Sequence, residues 1–119
     1  MQHSEEFLKL VEEAKSYIKE VTVPETQQRM KQGAHLIDVR EDNEWQAGHA
    51  SNAIHLGRGI IERDIVEKFP DKSAELILYC GGGFRSALSA HNLKKMGYSN
   101  VASMAGGWRA WKEANAPVE

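Results

Sequence analysis

One stretch of eleven residues constrains this chain more than any other: Leu76-Ile77-Leu78-Tyr79-Cys80-Gly81-Gly82-Gly83-Phe84-Arg85-Ser86. The four apolar residues before Cys80 predict a buried strand, too short for a helix. From Ala87 onward, apolar residues recur at helical spacing until Gly97 stops them. The local grammar is therefore strand, tight glycine loop, helix, with a thiol at the end of the strand facing the open helix N-terminus. Successive glycines let the backbone curl so that several N–H groups point inward as an anion nest. The first helical turn adds unpaired N–H groups and the positive end of its dipole. Arg85 adds a charge that cannot be titrated away. Each effect favours the thiolate, so Cys80 is expected to be a reactive nucleophile sitting where an anion also binds. Gly81, Gly82, Gly83, Phe84, Arg85 and Ser86 become candidate substrate-binding residues. A lone cysteine is otherwise most often a small buried hydrophobe. A packing role would leave the glycine run unexplained, because consecutive glycines cost backbone entropy.

The chain has 119 residues, which suits one domain with one core. Its hydrophobic fraction of 41% is enough to bury that core and argues against disorder. Net charge is −2 with no basic stripe, so nucleic acid is not an expected partner. No apolar run approaches membrane-spanning length, and Glu5 and Glu6 stand where a signal peptide would be basic and apolar. The expectation is a soluble cytoplasmic protein with no membrane association, a monomer or weak homodimer. A single cysteine leaves no internal disulfide, no resolving thiol and no cysteine-rich zinc site. His35, His55 and His91 show no ligand spacing, so neither a metal nor a cofactor is expected.

Along the chain, Ser4 to Glu20 predicts a helix with Phe7, Val11, Ala14 and Ile18 as its apolar stripe. Thr22-Val23-Pro24-Glu25 reads as a capping box that starts a second helix ending at Gly33. Strands are predicted over Ala34–Arg40 and Ala53–Leu56, with a short helix from Glu41 to Ala47 between them. Ile60 to Phe69 predicts a helix with Ile61, Ile65, Val66 and Phe69 inward, followed by a turn at Pro70–Ser73. After the Cys80 unit come a strand at Asn100–Met104 and a final helix opened by Gly106-Gly107 and carrying Trp108 and Trp111. Strands alternating with helices imply an α/β fold with a parallel sheet covered on both faces. Ligands on such sheets bind at the carboxyl ends of strands, where Cys80, Asp38 and Arg40 lie.

Several residues admit more than one role. Arg85 reads as an anion ligand, because a guanidinium matches bidentate oxygens. Ser86 is either the helix N-cap or a hydroxyl donor to sulfur on Cys80. Phe84 reads as a pocket wall, or as an exposed apolar contact for a partner. Arg40 is either a substrate contact or the partner of Glu44. Asp38 follows an apolar run and reads as buried and hydrogen-bonded. His49, after Gly48, is expected to satisfy backbone groups in a turn, and the two tryptophans are expected in the core.

Asp38-Val39-Arg40-Glu41, Glu44, Gly48-His49, Ala53-Ile54-His55-Leu56, the Cys80–Arg85 loop and Gly106-Gly107-Trp108-x-Ala110-Trp111 together resemble the single-domain rhodaneses in order and spacing. The match runs from about residue 20 to the C-terminus. Met104 replaces the usual leucine before the Gly-Gly pair, and no glycine precedes Pro117-Val118. The resemblance implies a three-layer rhodanese-like fold with a five-stranded parallel sheet over 21–119, preceded by an extra helical segment over 1–20. It implies sulfurtransferase activity: Cys80 takes the outer sulfur of thiosulfate or a related anionic donor and passes it to cyanide, a thiol or a protein. It also makes Asp38 a brace near the loop and assigns Glu44 and His49 supporting roles. Phosphatase and arsenate-reducing relatives carry one residue more between cysteine and arginine. The six residues from Cys80 to Arg85 favour room for one sulfur atom over a tetrahedral oxyanion. A cysteine-dependent phosphatase and a non-catalytic binding module are the alternatives.

Overall fold

Five parallel strands run through the middle of the chain's computed structural model, which describes residues 3–119. They are β1 (Lys19–Val21), β2 (His35–Asp38), β3 (Ile54–His55), β4 (Leu76–Tyr79) and β5 (Val101–Met104), in the order β1-β5-β4-β2-β3. β4 is central, and all four of its residues are buried, as an apolar run between two helix layers requires. Alternation splits its side chains. Leu76, Leu78 and Cys80 face a core shared with Ile61 and Ile65 of α4 (Ile61–Lys68) and Ala90 and Leu93 of α5 (Phe84–Lys95). Ile77 and Tyr79 face a second core with Val23 of α2 (Val23–Lys31) and Trp111 of α6 (Gly107–Glu113). The three-layer α/β architecture is the expected one.

The remaining helices are α1 (Glu5–Lys15) and the short α3 (Asp42–Ala47). Thr22 and Glu25 form the reciprocal cap of α2, with Glu25 N–H on Thr22 Oγ1 at 3.2 Å and Thr22 N–H on Glu25 Oε1 at 2.9 Å. Two sequence expectations need correcting. The first helix ends at Lys15, short of Glu20, because residues 19–21 are drawn into the sheet beside β5. Ile18 still packs against the core, but from the connection between helix and strand. Val66 is exposed, since the face of α4 on the sheet is set by Ile61 and Ile65, one turn apart. α1 packs on the outside of α5, where Val11 and Ala14 meet Ala87 and Leu88. No helix among the described residues is long and apolar enough to cross a membrane.

A buried ion pair at the carboxyl end of β2, Asp38 with Arg40, is tied to β4 through Tyr79 on the α2/α6 face. Arg40 Nη2 donates to Asp38 Oδ2 at 2.8 Å, and its Nε donates to both carboxylate oxygens at 3.1 Å. Tyr79 Oη donates to Asp38 Oδ2 at 2.6 Å and accepts the Ala50 N–H at 3.1 Å. Burial, with the neighbouring Asp38 carboxylate, pushes the Tyr79 phenol well above its ordinary value, so it stays a donor. Burial works against the charge on Arg40, yet its hydrogen bonds to Asp38 hold it above the usual guanidinium value. Removing one partner strands a charge in the interior. Arg40→Leu is expected to cost about 3–5 kcal/mol in urea unfolding, and Asp38→Leu added to it should recover much of the loss. A single variant as stable as the parent would show that the pair does not brace the end of β2.

Candidate active site

Cys80 lies at the floor of a hollow of about 770 Å³ at the carboxyl end of β4. The walls come from the loop residues Gly81 and Gly82, from Phe84 and Arg85 at the start of α5, from Arg58 and Arg109, and from His3 and Phe7 at the N-terminal end. The thiol is almost wholly shielded, 1% exposed. Gly83 N–H donates to Sγ at 3.1 Å, and Ser86 Oγ lies 3.5 Å from it. Ser86 Oγ in turn lies 2.7 Å from Ser103 Oγ on β5, and both serines are fully buried. In such a pair Ser86 can turn its hydrogen toward an ionised sulfur while accepting one from Ser103. Ser86 is not the helix N-cap, a correction: Gly83 holds that position, and Ser86 sits in the first turn.

The loop gets its shape from backbone contacts. Gly83 has φ 99°, a left-handed conformation that aims its N–H at the sulfur. A side chain on Gly81 would meet open space, so the glycine run is not required at each of its three positions. On the other side of Cys80, Trp108 N–H donates to Cys80 O at 2.7 Å and Arg109 N–H to Gly81 O at 3.3 Å. That approach is possible because Gly107 has no side chain: a Cβ there would lie 2.3 Å from Cys80 O. The Gly-Gly pair before Trp108 thus seats α6 directly on the loop.

The other candidate residues separate into those near the sulfur and those that only support the frame. Arg85 lines the hollow, but its guanidinium also meets Glu41 Oε1 at 3.5 Å and Glu44 Oε1 at 3.3 Å. Glu44 is therefore the partner of Arg85, and it also accepts Glu41 N–H at 3.0 Å to close the first turn of α3. Arg40 neither contacts the hollow nor pairs with Glu44, a correction to both readings. It is 3% exposed, bound to Asp38 and to Gly48 O, with its guanidinium 4.6 Å from the Trp108 ring. Asp38 braces Tyr79, one residue before Cys80, from the opposite face of the sheet. His49 stacks on Trp45 with ring centroids 3.5 Å apart and bonds Trp45 O through Nδ1, away from the sulfur. Trp111 is core, whereas Trp108 is half-buried over Arg40. Phe84 is a wall rather than an exposed docking residue, because His3, Phe7 and Lys15 cover it.

Arg58, Arg109 and Ser103 were not singled out by the sequence. Each is an ordinary residue type in an ordinary setting, and only the fold brings it to the thiol. Arg58 follows β3, its N–H bonded to Val39 O at 3.0 Å, which holds that loop over the end of β2. Among the described residues, no group of three His, Cys, Asp or Glu side chains converges as metal ligands.

The rhodanese-like domain family matches residues 22–114. The chain belongs to this family. Thiosulfate sulfurtransferase GlpE of Haemophilus influenzae is 33% identical over 101 residues, covering 85% of this chain and 94% of that protein. The GlpE protein of Vibrio cholerae is 34% identical over 86 residues, covering 72% and 79%. A solved structure from Rhodopseudomonas palustris, a protein of unknown function described as a "Possible Tyrosine Phosphatase", superposes with TM-score 0.83 at 25% identity. It covers 100% of this chain and 98% of that one. At the level of the family, these relatives support a rhodanese-type sulfurtransferase.

The seating of α6 on the loop can be tested at Gly107. In Gly107→Ala, the left-handed backbone (φ 52°) alone costs about 1–2 kcal/mol, and the clash with Cys80 O adds to it. Thermal unfolding should shift downward, and alkylation of Cys80 should change in rate as the loop moves. A variant matching the parent in both would contradict the docking.

Proposed function

We propose that the protein carries sulfane sulfur on Cys80 as a persulfide, taking it from thiosulfate or a related anionic donor and passing it to cyanide, a thiol or a protein acceptor. The observation that carries this reading is the sulfur at the floor of the hollow, with a backbone N–H at 3.1 Å and a buried hydroxyl at 3.5 Å. With thiosulfate, the Cys80 thiolate attacks the outer sulfur. The Cys80–sulfur bond forms as the sulfur–sulfur bond of the donor breaks, and the electron pair leaves with sulfite. No proton is needed, since thiolate and dianion become persulfide anion and sulfite dianion. Gly83 N–H and the Ser86 hydroxyl supply hydrogen bonds to the anionic sulfur, and Arg85 supplies charge at the mouth. An acceptor then attacks the outer sulfur and regenerates the thiolate.

The description of the Rhodopseudomonas relative makes an aryl phosphatase the competing reading. The short loop, with its single amide on Sγ, favours sulfur. Incubation with thiosulfate should add the mass of one sulfur atom to the intact protein. Cyanide should remove it as thiocyanate, and Cys80→Ser should show neither. Phosphate release from an aryl phosphate, lost in Cys80→Ser and with no sulfur adduct in the parent, would replace this proposal with the phosphatase. Arg85→Gln should raise KM for thiosulfate by about tenfold, the scale of one charge-assisted hydrogen bond, with little change in thermal unfolding.

A further inference from the structure

We propose that the hollow takes a carboxylate-bearing organic persulfide as donor, with Arg58 and Arg109 as the residues that select it; this rests on the sulfur-carrier reading above. Three observations converge. The first is size. A hollow of about 770 Å³ lies in the range, about 300–1,000 Å³, that encloses drug-sized organic molecules, and thiosulfate fills only a small part of it. The second is charge. Three guanidinium groups line the hollow, but they are not equivalent. Arg85 already has Glu41 and Glu44 beside it. Arg58 and Arg109 pair with no carboxylate among the described residues. The unbalanced positive charge of the hollow therefore stands outside the glycine loop. It comes from two separate elements, the connection after β3 and the first turn of α6. Both are anchored by their own backbone N–H groups, Arg58 on Val39 O at 3.0 Å and Arg109 on Gly81 O at 3.3 Å.

The third observation is the apolar wall. His3 lies 4.8 Å from the Phe84 ring, and Phe7 lies 6.2 Å from it, so the N-terminal end of α1 extends the pocket beyond the loop. An inorganic anion has no use for such a surface. A peptide-like or alkyl body does, and its carboxylates meet the two unpaired arginines at the rim. Guanidinium and carboxylate match in bidentate geometry, which gives selectivity as well as attraction. In the transfer, the Cys80 thiolate attacks the terminal sulfur of R–S–SH. The Cys80–sulfur bond forms, the donor's sulfur–sulfur bond breaks, and its electron pair leaves on R–S⁻. That thiolate picks up the proton of the persulfide, leaving Cys80–S–S⁻ and R–SH. Atoms and charge balance without an oxidant or reductant.

The test compares glutathione persulfide, which carries two carboxylates, with thiosulfate and with the carboxylate-free persulfide of 2-mercaptoethanol. Sulfur loading is read by intact mass and turnover by sulfur delivered to cyanide. In the parent, kcat/KM should be at least about tenfold higher for glutathione persulfide than for either other donor, the scale of one charge-assisted hydrogen bond. Arg58→Gln and Arg109→Gln should each raise KM for glutathione persulfide by about tenfold, with a smaller change in kcat. The preference for it over the carboxylate-free persulfide should shrink in both variants, and raised salt should weaken it in the parent. Circular dichroism checks that the variants fold, which their exposed positions favour. If thiosulfate loads Cys80 and is used as well as glutathione persulfide, or if both substitutions leave that KM unmoved, the donor assignment is wrong while sulfur transfer stands. If no donor places sulfur on Cys80, both readings fall together.

Discussion

Cys80 is gripped through its backbone on one side and through its sulfur on the other, and the site depends on that opposition. Its carbonyl accepts Trp108 N–H at 2.7 Å, while its sulfur accepts Gly83 N–H at 3.1 Å. The first contact ties the loop to α6, and the second ties the sulfur to the turn that starts α5. Neither involves a charged side chain. Both require backbone to approach backbone more closely than a Cβ permits, or a φ that side chains disfavour, and this is why Gly83 and Gly107 stand where they do. Glycines scattered at two places in the sequence thus serve one junction.

Charge is distributed around that junction by depth. Arg40 is buried and neutralised by Asp38, so it stiffens the frame without reaching the hollow. Arg85 stands at the mouth and shares its charge with Glu41, the N-cap of α3, and Glu44 in its first turn. Arg58 and Arg109 face the hollow without acidic partners among the described residues. A buried ion pair at the end of β2 braces the interior, whereas unpaired charge at the rim matters for attracting anions. The two roles need opposite environments, and the fold assigns them to different arginines.

The strand–loop–helix unit around Cys80 was legible because each local signal pointed the same way: an apolar run, a glycine turn, then a 3.6-residue period. The capping box at Thr22 and Glu25 was equally legible, since its partners are three residues apart. What escaped was set by tertiary contact. Residues 16–20 have no local reason to leave a helix; they do so because β5 offers a strand edge. Arg40 follows an aspartate by two residues, and sequence could not choose between Glu44 and Asp38 without knowing that both Asp38 and Arg40 turn inward. Arg58, Ser103 and Arg109 carry no pattern of their own. They come to the Cys80 end because parallel strands end on the same side of a sheet, which brings the ends of β3, β4 and β5 together there: Arg58 and Arg109 line the hollow, and Ser103 lies behind it against Ser86.

The N-terminal helix follows from the same geometry. α1 lies on α5, and α5 begins at the rim of the site, so anything packed along α5 toward its N-terminus arrives beside Phe84. Ser4 caps α1 by accepting Phe7 N–H at 3.1 Å, which fixes His3 and Phe7 on adjoining turns of chain above that ring. Burial of Val11 and Ala14 against Ala87 and Leu88 supplies the adhesion, a few kcal/mol on the scale of about 25 cal/mol per Å² of apolar surface. A segment that only covered α5 would need that apolar stripe and nothing more. This one carries the stripe up to Phe7 and adds His3 before the helix, so that two rings stand beside Phe84 at the entrance. Packing and pocket wall therefore meet at Phe7, which joins Val11 and Ala14 against α5 and also stands with His3 beside Phe84.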